Sequence, residues 1–437
     1  MSLSRRSMLK VSGAAAVAAA GGPRVQEAAA QEAVRGEPGS WGWVRNLFDL
    51  TPDSVHMSAM LIASHPRPVR QAIEEHRRGL DLDPVRYLER NNNRLTAAAR
   101  QAAGDYLGVH SSHVALTDST TMGVGLIYSG LRLRPGDEVL TTFEDYYVTH
   151  ESLRLAAERT GASLRRIALF DSVEEATEDE IVSRITSAIG PSTRLVALTW
   201  VHSSTGLKIP VSSIAAAIGE VNAGRDEEDQ ILLGLDAVHG FGVEEETFFD
   251  LGCDFFMAGC HKWLFGPRGT GIVAISERGL AAVRPSIPSF TDDAVFTAWL
   301  KGADAPPGGN SGPRMTPGGF KPFEHIWALP EAFALHGQIG RARVAARTHD
   351  LAGLLKEALG ELSGIAVRTP RDPDLSAGIV SFDVEGTHPD AIVSRLRRRG
   401  IVASVAPYAV PHVRLTPSMR NSQDEIEQVA AALREIA

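Results

Sequence analysis

Between residues 114 and 275, short apolar runs recur, each followed by a longer stretch whose apolar positions repeat at helical spacing. The runs at 114–117, 138–143, 164–170, 195–201, 231–237, 253–258 and 271–275 read as strands. The stretches at 121–131, 150–160, 178–189 and 211–221 read as helices. Most of the runs are apolar throughout rather than alternating, as in strands buried on both faces. The rhythm therefore predicts an α/β architecture, a mostly parallel sheet flanked by helices. Upstream, helical patterns occupy 66–78 and 86–107, and residues 31–55 read as an arm on the surface. Downstream, 284–322 is rich in proline and glycine and reads as a long loop. Residues 323–360 then read as one long amphipathic helix kinked at Pro330. Strands at 379–382 and 412–416, with helices at 389–399 and 423–436, predict a smaller C-terminal α+β unit. The expected organisation is an arm over 31–65, a large domain over 66–322, and a linking helix with a small domain over 323–437.

The first thirty residues stand apart. Ser4-Arg5-Arg6-Ser7-Met8-Leu9-Lys10 precedes a mild apolar run over 11–20, then Gly21-Gly22 and Ala28-Ala29-Ala30-Gln31. Paired arginines, a weak apolar core and small residues resemble a twin-arginine signal peptide over 1–30. The expectation is passage through the twin-arginine translocon to a periplasmic or other extracytoplasmic location. No later run is apolar for long enough to span a bilayer. The composition, 43% hydrophobic and 22% charged, is that of an ordinary globular chain with a large core. A net charge of -9 argues against nucleic acid as a partner. Only Cys253 and Cys260 carry thiols. They flank one predicted strand, which rises roughly 3.3 Å per residue, too far for a bridge, so both read as unpaired.

Candidate chemistry collects at the ends of the strands, where open α/β sheets bind their ligands. Cys260-His261-Lys262-Trp263 follows a buried strand and precedes Gly266-Pro267-Arg268-Gly269-Thr270-Gly271. A lysine there either snorkels to solvent or is kept as a neutral amine that condenses with a carbonyl. The run at 231–237 carries Asp236, followed by Val238-His239, and the run at 195–201 leads into His202-Ser203-Ser204-Thr205-Gly206. Asp118-Ser119-Thr120-Thr121-Met122-Gly123 joins a strand to a helix, and its free amides and hydroxyls suit a phosphate. Lysine, strand-end carboxylate and phosphate nest together specify pyridoxal phosphate. The lysine would hold the aldehyde as a Schiff base, and the carboxylate would keep the pyridine nitrogen protonated. His110 and His113 lack a third metal ligand and read as a turn. The glycines at 266–271 follow the lysine rather than a strand, the wrong order for a dinucleotide loop.

Asp236-x-x-His239, with Lys262 26 positions after the aspartate in His-Lys-Trp-Leu-Phe-Gly-Pro-x-Gly, resembles the class V aminotransferase-fold enzymes. That group contains cysteine desulfurases, kynureninases and isopenicillin N epimerases, and the likeness runs from about Val55 to Ile436. The resemblance implies pyridoxal phosphate fold type I and a homodimer. It implies Lys262 as the Schiff-base lysine, Asp236 as the pyridinium partner and His239 as the partner of the ring's phenolic oxygen. Thr120, Thr121 and His261 would contact the phosphate. Tyr146 would stack on the ring, with Tyr147 as its rival, and Ser203 would lie near the ring oxygen. Arg414, in Val413-Arg414-Leu415-Thr416, would clamp a substrate α-carboxylate, a task suited to its two parallel N–H donors. Two departures qualify the likeness. The loop at 402–410 lacks the cysteine that cysteine desulfurases carry there. Gly318-Gly319-Phe320-Lys321 stands where dimeric relatives donate a Gly-Thr pair to the phosphate. The implied function is a pyridoxal phosphate enzyme acting at Cα of an amino-acid-like substrate, nearest to the isopenicillin N epimerase branch. Transamination, β- or γ-elimination, and a non-catalytic protein that binds the cofactor are the alternatives.

Overall fold

The computed structural model describes residues 36–304 and 309–436, so the expected export signal lies outside the described residues. Its strands are β1 (Val55–His56), β2 (Val114–Thr117), β3 (Glu138–Thr142), β4 (Ser163–Ile167), β5 (Thr193–Thr199), β6 (Leu232–Asp236) and β7 (Phe255–Gly259). They continue with β8 (Gly271–Ile275), β9 (Ile365–Val367), β10 (Val380–Val384), β11 (Ile401–Val402), β12 (Ser404–Val405) and β13 (Val413–Leu415). A seven-stranded sheet runs in the order β2-β8-β7-β6-β5-β3-β4. Its strands pair in parallel except at β8, which is antiparallel to both neighbours.

The uniformly apolar runs become central strands because each has two faces to bury. Phe256 and Ala258 of β7 join the core on one side, while Phe255 and Met257 join the core on the other. The edge strand β4 carries Arg165 and Arg166 and is partly open to solvent, a charged edge that discourages further pairing. The register sets Thr199 of β5 beside Asp236 of β6, and Asp236 beside Met257 of β7. Three strand ends are thus brought level on the carboxyl side of the sheet.

A second core, with Leu355, Phe382, Leu396 and Leu433 at its centre, lies under an antiparallel sheet in the order β12-β13-β10-β9. The arm enters it directly. β1 pairs in parallel with β11, and Met57 is fully buried in the same cluster. The arm therefore does more than cover the surface. Its apolar residues Val44, Met57 and Met60 are all internal.

Two other expectations are corrected. Residues 323–360 form three helices, Phe323–Trp327, Leu329–Ile339 and Arg341–Gly360. Pro330 sits in the first turn of the second, where its missing N–H is not needed, and the expected interruption falls just before it, between Trp327 and Leu329. The break that matters is Gly340, whose φ of 95° is open to glycine and costly for other residues. Before it, Trp327, Leu329 and Phe333 pack into the large core, and after it Leu351, Leu355 and Leu359 pack into the small one. The stretch 284–322 is not structureless. Asp292 caps a helix over Asp293–Leu300, and Ser311 caps a turn of helix over Gly312–Met315.

Candidate active site

Lys262 is presented by a tight loop after β7. Phe265 N–H donates to the Lys262 carbonyl at 2.9 Å, and Gly266 N–H donates to the Cys260 carbonyl at 2.8 Å. The loop turns on Phe265, the one non-glycine residue with positive φ (57°) among the described residues. That strain is held in place by packing, with the Phe265 ring edge-on to Phe48 at 5.0 Å. Ala63 of the arm donates its N–H to the His261 carbonyl at 3.0 Å, so the N-terminal segment closes over the same loop.

The Lys262 side chain enters a cavity of about 260 Å³ at the carboxyl ends of the strands. The same cavity is lined by Thr120, Thr121, Tyr146, Ser203, Asp236, His239, His261 and Arg414, so all nine sequence-predicted site residues meet there. They come from six separate segments of the chain, joined only by the fold.

The electrostatics are dominated by desolvation. Burial lowers the Lys262 pKa to about 8, with Arg414 pushing the same way and Asp236 opposing. Burial raises the Asp236 pKa to about 6, against a hydrogen bond from Val238 N–H (3.2 Å) and the nearby lysine. The His239 pKa is held well below its usual value by burial, then by Lys262 and Arg414. His239 Nε2 is 3.5 Å from Lys262 Nζ.

Opposite the strands, the helix Thr120–Gly130 points its start at the cavity. No helical carbonyl can reach its first N–H groups, which makes this end an anion site. Ser119, not Thr120, is the capping residue, accepting from Met122 N–H at 3.2 Å. The Thr120 hydroxyl oxygen accepts from Gly259 N–H at 2.8 Å, tying the helix start to the end of β7. Of the two tyrosines at 146 and 147, Tyr146 lines the cavity and Tyr147 is 68% exposed.

Arg414 on β13 is 2% exposed, yet no carboxylate pairs with it among the described residues. Its guanidinium donates to the Ser203 carbonyl (2.7 Å), the Val405 carbonyl (2.9 Å) and the Ser404 hydroxyl (3.2 Å). Burial lowers its pKa to about 10. A desolvated cation held only by neutral acceptors leaves its charge available to an anion entering the cavity.

Sequence reasoning missed three contributors. Tyr408, in the loop before Arg414, hydrogen-bonds Ser203 Oγ through its hydroxyl at 2.8 Å and sets its ring 5.8 Å from that of Tyr146. Trp263 donates its indole N–H to His239 Nδ1 at 3.2 Å. Met60 and Leu61 bring the arm into the cavity wall. An aromatic residue immediately after the lysine was the one available signal among these. The other contacts cross from one unit of the chain to another and leave no trace in local spacing. Cys253 and Cys260 are both buried and unbridged, and burial pushes the Cys260 thiol up to about 12.

The residues suit a phosphorylated ring bearing an aldehyde and a basic nitrogen. An amine of lowered pKa, a buried carboxylate with one oxygen committed to Val238 N–H, and a helix start converge on one cavity. Comparison with known proteins bears on which family builds such a cavity. The aminotransferase class-V family matches residues 63–425. The isopenicillin N epimerase of Streptomyces clavuligerus is 26% identical over 412 residues, covering 90% of this chain and 97% of its own. Among solved structures, a C-DES mutant with glycine covalently linked to its PLP cofactor superimposes with a TM-score of 0.79 at 20% identity, over 90% of this chain and 99% of that one. The cysteine desulfurase of Thermococcus onnurineus superimposes with a TM-score of 0.76 at 20% identity, over 90% and 97%.

Proposed function

We propose that this chain, which belongs to the aminotransferase class-V family, is a pyridoxal phosphate enzyme that moves a proton at Cα of an amino-acid-like substrate, with epimerisation as the net reaction. The observation that carries the reading is Arg414, a buried guanidinium without a carboxylate partner among the described residues, in the same cavity as Lys262, whose pKa is lowered to about 8.

Pyridoxal phosphate, when bound, supplies an electron-accepting ring that stabilises the charge left at Cα when a proton departs. The chain's own residues would do the rest. Lys262 would hold the aldehyde carbon, then take the proton at Cα from the face it addresses, and inversion would require a proton delivered to the opposite face by a second donor in the cavity. Its lowered pKa keeps an appreciable fraction of the amine unprotonated near neutral pH. Asp236, with a pKa of about 6, is ionised at neutral pH and would keep a ring nitrogen protonated. His239 would donate to an oxygen of the ring. The first-turn amides of Thr120 and Thr121, with His261, would hold the phosphate. Arg414 would bind the substrate carboxylate, and its fixed place on β13 would decide which substituent of Cα faces Lys262. Tyr146 and Ser203 would complete the wall around the ring.

Epimerisation is favoured over sulfur mobilisation by the small-domain loop. It carries no cysteine between 402 and 410, and neither thiol of the chain is exposed or acidic. The likeness to the S. clavuligerus epimerase over nearly its whole length supports the same choice. Incubation of the holoenzyme with an amino-acid panel in deuterated water, followed by mass and chiral analysis, tests the reading. Deuterium at Cα together with the opposite configuration is the expected result. Accumulating keto acid would assign transamination, and released ammonia would assign elimination. A protein that stays colourless with pyridoxal phosphate would sink the cofactor reading altogether. The twin-arginine pattern over 1–30 and the family likeness also support export of the folded holoenzyme and a homodimeric assembly.

A further inference from the structure

We infer that Trp263 locks the ring proton of His239 onto Nε2, making that histidine a permanent hydrogen-bond donor beside Lys262. The inference rests on the reading of the cavity given above. The indole Nε1–H lies 3.2 Å from His239 Nδ1. An indole N–H can only donate, so Nδ1 must offer its lone pair, and in the neutral ring the proton then sits on Nε2. Nε2 in turn faces Lys262 Nζ at 3.5 Å, and the ring lines the cavity. Protonating the ring would place a second N–H on Nδ1, pointed at the indole N–H. The cation is therefore opposed by geometry as well as by burial.

Three consequences follow for the site. His239 cannot take a proton from a substrate, so Lys262 has no competing base at this position. The Nε2–H can donate to the lone pair of a neutral lysine, which favours the amine over the ammonium. Once the lysine is engaged elsewhere, the same N–H is free to donate to an anionic oxygen in the cavity. Trp263 can hold this orientation because it is itself immobilised. It is 2% exposed, and its ring lies against Gly378, where an added Cβ would sit 2.7 Å from it. Trp263 is thus a positioning residue that acts through His239.

Nitrogen-15 spectra of histidine-labelled protein, recorded with and without pyridoxal phosphate and assigned by loss of the signal in His239→Gln, read the tautomer directly. The expected result is the Nε2–H form alone, from about pH 6 to about pH 9 with the cofactor bound and above about pH 8 without it, where Lys262 is a neutral amine. An Nδ1–H or protonated ring would overturn the inference. In Trp263→Phe, the pure tautomer should give way to a mixture or to a titrating ring, and the visible band of the holoenzyme should become pH-dependent. A variant that keeps only the Nε2–H form would overturn the role of Trp263. Should that variant fail to fold, the Trp263 indole proton of the unmutated protein must resonate downfield and move in His239→Gln, and an unmoved signal would count against the lock. The cofactor-free spectrum separates the two readings. A colourless protein with the Nε2–H form would sink the functional reading alone, and a yellow protein with the other tautomer would sink only the lock.

Discussion

Lys262 is costly to build, since a buried ammonium loses its hydration and this one lies near a second buried cation, Arg414. The fold resolves the cost by shifting the lysine toward its neutral form, which is also the nucleophilic form. The sign of the pH dependence follows. The amine is neutral above its pKa of about 8 and protonated below it. Uptake of pyridoxal phosphate by the cofactor-free protein should therefore slow by about tenfold per pH unit below 8 and level off above it. Stopped-flow absorbance would measure this, and a flat profile between pH 6 and about 8 would contradict the assignment. Arg414 gives a second prediction. Arg414→Lys keeps the charge but loses the planar fork that binds a carboxylate with two bonds, and it leaves the Ser203 and Val405 carbonyls short of a donor. A charged hydrogen bond is worth roughly 1.5–3 kcal/mol, so kcat/KM should fall about 10- to 100-fold. The loss should fall mainly on KM, with the visible band of the cofactor unchanged.

At the scale of elements, the central strands were legible because both of their faces are buried, which leaves uninterrupted apolar runs in the chain. The ends of β3, β5, β6 and β7 shifted by one or two residues, as expected where the hydrogen-bond ladder and not composition decides the last pair, while β2 and β8 kept their expected bounds. The helix expected over 323–360 failed for a specific reason. Its apolar positions continue through Gly340 without interruption, with Leu335, Ile339 and Val344 in one cluster across it, yet the residues farther out, Phe333 before and Leu351 after, serve different cores. Periodicity records that a face is buried and not what buries it. Gly340 itself should be sensitive to substitution. Gly340→Ala must accept φ 95° with ψ 124°, at a cost of about 1–3 kcal/mol, although its methyl would meet only the Arg343 side chain, at 3.8 Å. Gly337→Ala, within the helix Leu329–Ile339 and in open space, should instead stabilise by about 0.5–1 kcal/mol. Denaturant midpoints of the two variants moving in opposite directions would bear this out.

Across the whole molecule, the cavity depends on how the two cores are held against each other. One large-domain segment receives the contacts. Arg414 donates to the Ser203 carbonyl (2.7 Å), Ser381 Oγ to the Ser204 carbonyl (2.7 Å) and Thr369 Oγ1 to the Thr205 carbonyl (2.7 Å). These bonds fix the guanidinium relative to Lys262. Ser381→Ala removes one of them without touching the cavity lining. It should cost about 1 kcal/mol of stability and raise KM several-fold while the cofactor spectrum stays as it was. A change in the visible band would instead place Ser381 nearer the ring. The N-terminal pattern calls for a test on the full chain. With Arg5 and Arg6 both changed to lysine, the protein should remain in the cytoplasm as folded, yellow holoenzyme, read by fractionation and absorbance. Export of that variant at the unmutated level would refute the twin-arginine reading.

Two things were determined by the amino-acid sequence alone. One is the alternation of buried strands and helices, because burial on both faces demands it. The other is the placing of Asp236 and Lys262 at the ends of buried strands, whereas Arg414, inside β13, was marked only by the family resemblance. Tertiary structure alone decided the rest. It brought the Lys262 pKa down to about 8, because a pKa is lowered by the whole surroundings that desolvate the group. It left Arg414 without a carboxylate partner among the described residues, because that depends on which distant segments come near. It placed Trp263 against His239 and Tyr408 against Ser203, contacts that exist only once the loops have folded onto one another.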